Sequence, residues 1–289
     1  MNIMKFKNIY FGISTVFIVA SLFFLVGFGL KPAIDFTGGS LLEITSNDTS
    51  IEKIRDAASN HYQVGSVQLS GDATYLIRGE TIDNDTKLAF LNDLAESNQE
   101  VEELQFSTVG PVLGRQTLIK MLTAMIIVSV IITLYVWKQF DEIKYGVCAI
   151  LAMFHDTFIL VGAFSFLGWW LGVEVDVLFV TALLTTLSFS IHDTIVVYDR
   201  IRELRRKHRT TDFKQVVNAA VLETLSRSIN NSLTIIIMLI TLAVLGGDTI
   251  RWFAVALLIG AITGTYSSTF TAAPLLLLWE TLANDRKRN

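Results

Sequence analysis

The stretch FSIHDTIVVYDRIRELRRKHR, residues 189–209, joins an apolar segment to a run of basic residues. Its apolar part has the composition of a membrane-spanning helix, yet it carries His192 and Asp193. An ionised side chain in the hydrocarbon core costs about 2.5–3.5 kcal/mol on insertion scales, so such a residue is expected to face a bundle interior or water. The stretch therefore predicts a membrane protein with a carboxyl group among its helices.

The composition of the whole chain agrees with this prediction. Of its 289 residues, 52% are hydrophobic and only 17% are charged, which is outside the usual range of soluble proteins. A helix needs roughly 20 apolar residues to cross a bilayer. Six stretches meet this requirement: residues 9–30, 118–137, 145–167, 177–198, 228–245 and 252–279. The first is too long for a cleavable signal peptide and is interpreted as a retained anchor.

The distribution of lysine and arginine predicts the orientation in the membrane. With the N-terminus inside, the inner segments hold 15 of the 23 basic residues. We therefore expect both termini to be cytoplasmic. The single cysteine, Cys148, lies in an apolar stretch, which excludes an intrachain disulfide and a cysteine-based metal cluster.

The one long hydrophilic segment, residues 31–115, is expected on the outer side. It holds 14 acidic and 6 basic residues, and this negative balance argues against nucleic acid as a partner. Periodicity predicts strands at 39–45, 66–70, 74–78 and 101–109, with helices at 51–61 and 83–98. The order β-α-β-β-α-β is that of a ferredoxin-like domain. Four regions follow: residues 1–30, the outer domain 31–115, a helical bundle 116–280 and a basic tail 281–289.

A short motif lies where the first helix meets the outer domain. It reads Asp35, Phe36, Thr37, Gly38, Gly39. Paired glycines allow positive φ in a tight turn or a close approach of backbones. No Gly-Lys-Ser/Thr follows and no strand precedes, so a structural junction is favoured over a phosphate-binding loop.

Two aspartates lie within predicted spans. Asp156 is about 15 Å into the third span, and Asp193 is about 9 Å from the inner end of the fourth. Desolvation raises the pKa of a carboxyl group and a nearby cation lowers it, so a group in such surroundings can load and unload a proton. Together with Arg227 and His192, the two aspartates are predicted to form a proton relay.

Arg227 is the best-placed cation, because it lies at the start of the fifth span and the fourth and fifth spans are antiparallel. We predict a pair between Asp193 and Arg227. The alternative is that Arg227 extends to lipid headgroups as part of the topology signal.

The tetrapeptides FHDT at 154–157 and IHDT at 191–194 resemble each other. Adjacent helical side chains diverge by about 100°, which argues against a shared metal ion. His155 and His192 are expected to hydrogen-bond between helices or to modulate the adjacent aspartate. No cofactor is predicted.

Other residues are typical of a packed bundle. Gly260 and Gly264 form a GxxxG motif that allows close helix contact, and Pro274 is expected to kink the last span. A further group of polar residues is expected to bond across helices or to line a wet path: Asn230, Asn231, Ser267, Ser268 and Thr269. Residues 213–226 are predicted to form an amphipathic approach to the fifth span, and the preceding basic run offers contact with anionic lipid.

Several of these motifs, taken in order, resemble the SecF branch of the SecD/SecF family of bacterial protein-export subunits. The resemblance covers essentially the whole chain and rests on DFTGG at 35–39, VGPVLG at 109–114, FHD at 154–156 and SIHDTIVVYDRIRE at 190–203. The family commonly has asparagine where this chain has His192, which leaves the role of that position open.

The resemblance implies six spans, a ferredoxin-like outer domain and kinship with the RND transporter superfamily. It implies that the chain acts with SecD, alongside SecY, SecE and SecG, and with YajC, on a translocating preprotein in the inner membrane. It also implies a non-enzymatic role driven by proton motive force, with Asp193 and Arg227 in the proton path.

Two other functions fit parts of the sequence. A half-size RND-type exporter of lipid or a small amphiphile would have the same intramembrane carboxylates. An intramembrane aspartyl protease would use two such groups to activate water. Against the protease, Asp199 lies at the membrane edge and the Gly-Gly-Asp at 246–248 lies in an outer loop.

Overall fold

The computed structural model describes residues 2–46, 50–70, 73–96, 101–140 and 142–288. The helices and strands follow in chain order: α1 Lys7–Phe28, α2 Ile34–Thr37, β1 Gly39–Ser46, α3 Ile51–Ser59, β2 Val64–Ser70, β3 Thr74–Gly79, α4 Asn84–Glu96, β4 Val101–Val109, α5 Pro111–Gln139, α6 Ile143–Leu171, α7 Val177–Lys207, α8 Phe213–Leu245, α9 Asp248–Ser267 and α10 Ala273–Arg288. A 3₁₀ turn, Ile3–Phe6, precedes α1, and a π turn, Ser268–Ala272, joins α9 to α10.

Six helical segments of the described chain are long and apolar enough to cross a membrane, as expected from the sequence. They are α1 with its 3₁₀ turn, α5, α6, α7, α8 and the continuous segment formed by α9, the π turn and α10. The chain is therefore a multi-pass membrane protein. It divides into two compact units, residues 32–123 and residues 1–31 with 124–289, which are described separately.

The smaller unit contains a four-stranded antiparallel sheet in the order β2-β3-β1-β4. This order, with one helix after β1 and one after β3, is the ferredoxin-like arrangement, so that prediction is confirmed. Alternate residues of the strands and the apolar faces of α3 and α4 share one core, which includes Leu42, Ile44, Ile54, Ile77 and Phe90. Asn98, the predicted end of the second helix, lies outside the described residues.

The glycine motif of this unit forms a close backbone contact. Gly38 and Gly39 have φ values of +76° and +126°, which side chains rarely tolerate. A Cβ at Gly38 would lie 2.6 Å from the Cα of Pro111, and one at Gly114 would lie 2.6 Å from the Gly38 nitrogen. The segments 35–39 and 109–114 therefore pack directly on each other. Pro111 is the first residue of α5, a position whose N–H makes no intrahelical hydrogen bond, so a proline fits there without loss.

The larger unit is a helical bundle whose tightest contacts depend on small residues. A Cβ at Gly260 of α9 would lie 2.2 Å from the Thr186 hydroxyl of α7, and one at Gly162 of α6 would lie 2.2 Å from the Ser21 Cβ of α1. Gly264 also faces α7, at Ser190. These glycines let helix backbones approach closely, as the GxxxG spacing predicts.

Helix α8 is longer than the predicted span. Residues 213–226, predicted as an amphipathic approach, are the first turns of the same helix, and their apolar side Phe213, Val216, Val217, Ala220 and Val221 is buried. Helix α7 likewise continues beyond Tyr198 to Lys207. The basic run after Tyr198 is thus mostly helical, and it lies beside the beginning of α8, where Arg200 pairs with Glu223.

Candidate functional site

The first intramembrane aspartate, Asp156 of α6, is fully buried at 0% exposure. Its Oδ1 lies 2.9 Å from His155 Nδ1. Its Oδ2 accepts hydrogen bonds from Ser190 Oγ of α7, at 2.6 Å, and from Ser267 Oγ of α9. Three helices therefore meet at this one carboxyl group, and two of them contribute a serine.

The second aspartate, Asp193 of α7, is 7% exposed. Its Oδ2 accepts hydrogen bonds from Ser228 Oγ of α8, at 2.5 Å, and from Ser268 Oγ of the π turn, at 2.8 Å. Asp193 thus repeats the pattern of Asp156, with serine donors from two neighbouring elements. Among the described residues, no hydrogen bond joins the two carboxyl groups directly, in contrast to the paired carboxylates that share a proton in aspartyl proteases.

The last residue of α9 and the first residue of the π turn each supply a donor to one aspartate. Ser267 and Ser268 are consecutive, and successive helical side chains diverge by about 100°, so one serine points to each carboxyl group. Pro274 has no N–H with which to bond the carbonyl of residue 270, and π turns arise where the helical ladder is interrupted in this way. Such turns occur frequently at functional sites.

The remainder of the π turn is tied to two other helices. Ser14 of α1 bonds Thr271 Oγ1 at 3.0 Å, and Tyr198 of α7 donates its hydroxyl to the Ala272 carbonyl at 2.8 Å. Tyr198 also packs edge-on against Phe140 and Tyr145. The segment that serves both aspartates is therefore anchored at its far end.

Hydroxyl donors suit a carboxyl group that changes its charge. A serine hydroxyl donates to an ionised carboxylate and accepts from a neutral carboxylic acid. Both protonation states of Asp193 are thus hydrogen-bonded without a permanent ion pair. This chemistry allows reversible proton binding at a buried site.

The predicted pair between Asp193 and Arg227 is not formed in this structure. Arg227 is exposed, and within the described part of the chain no carboxylate lies within ion-pair distance of it. The reason is that successive side chains of a helix point in different directions. The next residue, Ser228, points into the bundle and donates its hydrogen bond to Asp193, which leaves Arg227 on the outer side of α8. The residue predicted to contact Asp193, Arg227, is thus the sequence neighbour of the residue that does so, Ser228.

His192 also points away from the site. It is exposed on α7, whereas its neighbours Ile191 and Asp193 are buried. His155 differs: it contacts Asp156 through Nδ1, while its buried Nε2 has no hydrogen-bond partner among the described residues. No group of three or more His, Cys, Asp or Glu side chains able to hold a metal occurs in the described ranges.

Sequence reasoning found both aspartates but missed two of their serine partners, Ser190 and Ser228. Ser190 lies three residues before Asp193, on the same helix, yet it serves Asp156. Ser228 is the first residue of the predicted fifth span. Serines lie close in sequence to Asp193 and Arg227, but not to Asp156, and which serine bonds which aspartate depends on helix rotation. Of the remaining predicted polar residues, Ser267 and Ser268 bond across helices, whereas Asn230 and Asn231 are exposed.

Comparison with known proteins gives consistent matches. Residues 89–282 match the family described as protein export membrane protein SecD/SecF, C-terminal, and residues 23–49 match the SecD/SecF GG motif. The second match includes the DFTGG sequence. The protein translocase subunit SecF of Thermobaculum terrenum is 39% identical, over 97% of this chain and 94% of that protein. That of Anaerolinea thermophila is 37% identical, over the same shares.

Solved structures resemble the chain over nearly its whole length. The crystal structure of SecDF from Thermus thermophilus, a translocon-associated membrane protein, has a TM-score of 0.86 and 29% identity over 97% of this chain. SecDF in a super-membrane-facing form has a TM-score of 0.70 and 27% identity over 100% of it. The chain spans about two fifths of these solved chains, namely 39% and 40%.

Proposed function

Because the chain belongs to the SecD/SecF family of protein export membrane proteins, we propose that its accessory role in Sec export is driven by proton motive force acting on Asp193 and Asp156. The observation that carries this proposal is the burial of both carboxyl groups within spans, each held by serine hydroxyls from neighbouring helices. The role is one of transport and includes no catalytic step.

The energy available to such a site is sufficient to move helices. An elementary charge that crosses the membrane potential gains about 2.3 kcal/mol per 100 mV, and a pH gradient adds to this. A serine hydrogen bond to a charged group is worth roughly 1.5–3 kcal/mol. At 100 mV one proton therefore carries about the free energy of one such contact at Asp193.

Protonation changes what Asp193 requires from its neighbours. An ionised Asp193 holds Ser228 of α8 and Ser268 of the π turn, whereas a neutral Asp193 accepts such bonds more weakly. Loss of these contacts frees α8 to rotate relative to α7. Because the contacts are weakened in the neutral state and not abolished, the two protonation states bias the bundle between two packings.

Arg227 enters this cycle as an alternative partner. It precedes Ser228 on α8, so a rotation of about 100° would exchange the serine for the guanidinium at Asp193. We assign to Arg227 the step of proton release: after a neutral Asp193 has let α8 rotate, the nearby guanidinium favours the ionised carboxylate and so promotes loss of the proton. The alternative is a lipid-facing Arg227, which would tolerate replacement by glutamine, so Arg227→Gln in the proton-flux assay below distinguishes the two roles.

Exposed polar residues support a partner within the membrane. His192, Arg227, Asn230 and Asn231 are all exposed on α7 and α8. Arg227 lies 18 residues before Leu245, about 27 Å along the helix, so the asparagines that follow it are inside the apolar part. Polar side chains there are expected to bond another helix. We propose that this partner is SecD.

The relatives agree with a complex of this kind. The protein translocase subunit SecDF of Bacillus subtilis is 34% identical over 95% of this chain, which covers 37% of that protein. We propose that the remainder of such a chain is supplied here by a separate SecD, and that the pair works with SecY, SecE, SecG and YajC on preproteins. In this proposal the protein lies in the inner membrane with both termini and the basic end of α7 in the cytoplasm.

Proton flux tests the proposal. Membrane vesicles that contain the chain with SecD would receive a pH gradient, and an internal dye would follow its decay. Wild type is expected to accelerate the decay and Asp193→Asn to lose this effect, while Asp193→Glu keeps part of it. Thr185→Val is the matched control on α7, because Thr185 is exposed and bonds only the Thr181 carbonyl of its own helix. Equal flux in wild type and Asp193→Asn at equal protein levels would exclude the proposal.

A further inference from the structure

Ser267 and Ser268 link the two aspartates through consecutive backbone positions. Ser267 donates to Asp156 Oδ2, and Ser268 donates to Asp193 Oδ2. Both serines are fully buried, at 0% exposure, so neither hydroxyl exchanges its partner for bulk water. A movement of the segment 267–268 therefore changes the hydrogen bonds of both carboxyl groups.

Each of these hydroxyls has a second acceptor on its own helix. Ser267 Oγ lies 3.2 Å from the Gly264 carbonyl, and Ser268 Oγ lies 3.1 Å from the Thr265 carbonyl. A hydroxyl has one hydrogen, so donation to the carboxylate competes with donation to the carbonyl three residues back. The carboxylate contacts are the shorter ones, as expected while the acceptor is charged. A neutral aspartate would shift the balance toward the carbonyl.

Such a shift at one serine affects its neighbour. Hydroxyl bonds to a preceding carbonyl bend helices slightly. The turn is anchored beyond the serines by Ser14 at Thr271 and by Tyr198 at the Ala272 carbonyl, so adjustment is confined to the few residues that carry the two hydroxyls. A change in the backbone at Ser267 must then alter the position of Ser268.

We infer that Ser267 and Ser268 couple the two aspartates, so that the protonation state of Asp156 sets how readily Asp193 binds a proton. This inference rests on the proposed function and specifies how the two carboxyl groups of that site act together. Ser267 and Ser268 are positioning residues in this role, because they act through the carboxyl groups and not on the preprotein.

The surroundings contain few other groups that would produce the same effect. His155 is the titratable side chain in contact with Asp156, and within the described residues no charged side chain forms an ion pair or hydrogen bond with Asp193. Other titratable groups on the packed elements include His192, Tyr198 and Asp199 on α7, Glu223 and Arg227 on α8, Tyr266 on α9 and Glu280 on α10. Among the described residues His155 bonds Asp156 and neither Ser267 nor Ser268, so its influence is separable by substitution.

The test is a thermodynamic cycle on the full-length protein in complex with SecD. Infrared spectroscopy would follow the carboxylic-acid band of Asp193, assigned by its loss in Asp193→Asn, through a pH titration. In the wild-type background, Asp156→Asn is expected to move the midpoint of Asp193 by about one pH unit, the size typical of interacting carboxyl groups. In Ser267→Ala or Ser268→Ala, the same substitution is expected to move it by less than half as much.

Controls separate the coupling from general damage. Thr263→Val also removes a hydroxyl from α9, but one that bonds the Ile259 and Gly260 carbonyls of its own helix and neither carboxyl group, and it should leave the shift intact. Serine-to-cysteine variants, of nearly the same size but with a weak donor, replace the alanine variants if those fail to accumulate. An undiminished shift in both serine variants, or no shift in the wild-type background, would overturn the inference. If coupling is present while Asp193→Asn leaves proton flux unchanged, the inference stands and the proposed function fails.

Discussion

At the scale of single residues, the bundle holds its two buried aspartates with neutral hydroxyls. Ser190 and Ser267 bond Asp156, and Ser228 and Ser268 bond Asp193. A fixed salt bridge would stabilise one charge state strongly, whereas hydroxyls satisfy both states. The sequence revealed the aspartates because charges in apolar stretches are conspicuous. It did not reveal their donors, because serine is common in spans and its direction depends on helix rotation.

Tyr62 of the smaller unit gives a prediction at the same scale. Its ring packs edge-on against Phe90, but its buried hydroxyl has no hydrogen-bond partner among the described residues. Removing an unsatisfied buried hydroxyl is expected to recover about 1 kcal/mol of the free energy of unfolding. Tyr62→Phe should therefore slow hydrogen exchange of the sheet amides in the full-length protein. Faster exchange would indicate that the hydroxyl stabilises the fold.

Tyr62 also predicts a pH dependence. Burial raises its pKa to about 12, from the ordinary tyrosine value of 10.0. The folded state then keeps the phenolic proton while the unfolded state loses it, so stability falls as pH rises from about 10 to 12. Tyr62→Phe should remove this part of the alkaline loss, measured as the pH dependence of hydrogen exchange. An identical alkaline profile in the variant would contradict the assignment.

At the scale of elements, helix existence followed from apolar length, but helix ends and irregularities did not. Helix α8 begins at Phe213 because its first turns bury an apolar side against the rest of its unit. The sequence of residues 213–226 shows that this segment is amphipathic, but not that it continues into the span. No sequence pattern predicted the π turn at Ser268–Ala272, although Pro274 indicated a kink. That turn decides which serine faces which aspartate.

The glycines of α9 allow a prediction about packing. A Cβ at Gly260 would lie 2.2 Å from Thr186 Oγ1, and Thr186 is itself buried, so Gly260→Ala should destabilise the bundle by about 1–3 kcal/mol. At Gly264 the nearest atom to an added Cβ is 3.2 Å away, and a smaller loss is expected there. Thermal unfolding of the purified protein measures both effects.

Gly12 of α1 is the matched control for this series. An added Cβ would meet nothing within 4 Å there, and alanine is the better helix former, so Gly12→Ala should leave the unfolding temperature unchanged or raise it. Equal unfolding temperatures for Gly12→Ala and Gly260→Ala would show that α7 and α9 are not closely packed at Gly260.

At the scale of the whole molecule, the sequence predicted six spans, a ferredoxin-like unit and its place between the first two spans, and each is observed. These features depend on local periodicity and on the length of apolar stretches, which can be read directly from the sequence. The pair between Arg227 and Asp193 was predicted because the ends of their helices are close, and it is not formed in this structure. Its orientation depends on the rotation of α8, and a partner chain at the exposed polar residues would influence that rotation.

Those exposed polar residues lead to a prediction about assembly. An interhelical hydrogen bond in a membrane is worth roughly 0.6 kcal/mol. Replacing both Asn230 and Asn231 with leucine should therefore weaken recovery of SecD several-fold when the complex is purified through this chain. Leu233→Ala, an exposed apolar position on the same helix, is the control and should retain SecD. Full recovery with the double variant would place the contact elsewhere.

The central claim is that Asp193 takes up and releases a proton that powers export. Its most direct test is the rate of preprotein export in cells that contain Asp193→Asn at the wild-type protein level, measured with and without an uncoupler that removes the proton motive force. In Asp193→Asn cells the uncoupler-sensitive part of export is expected to fall to the level of cells lacking the chain. Uncoupler-sensitive export at the wild-type rate in Asp193→Asn cells would contradict it.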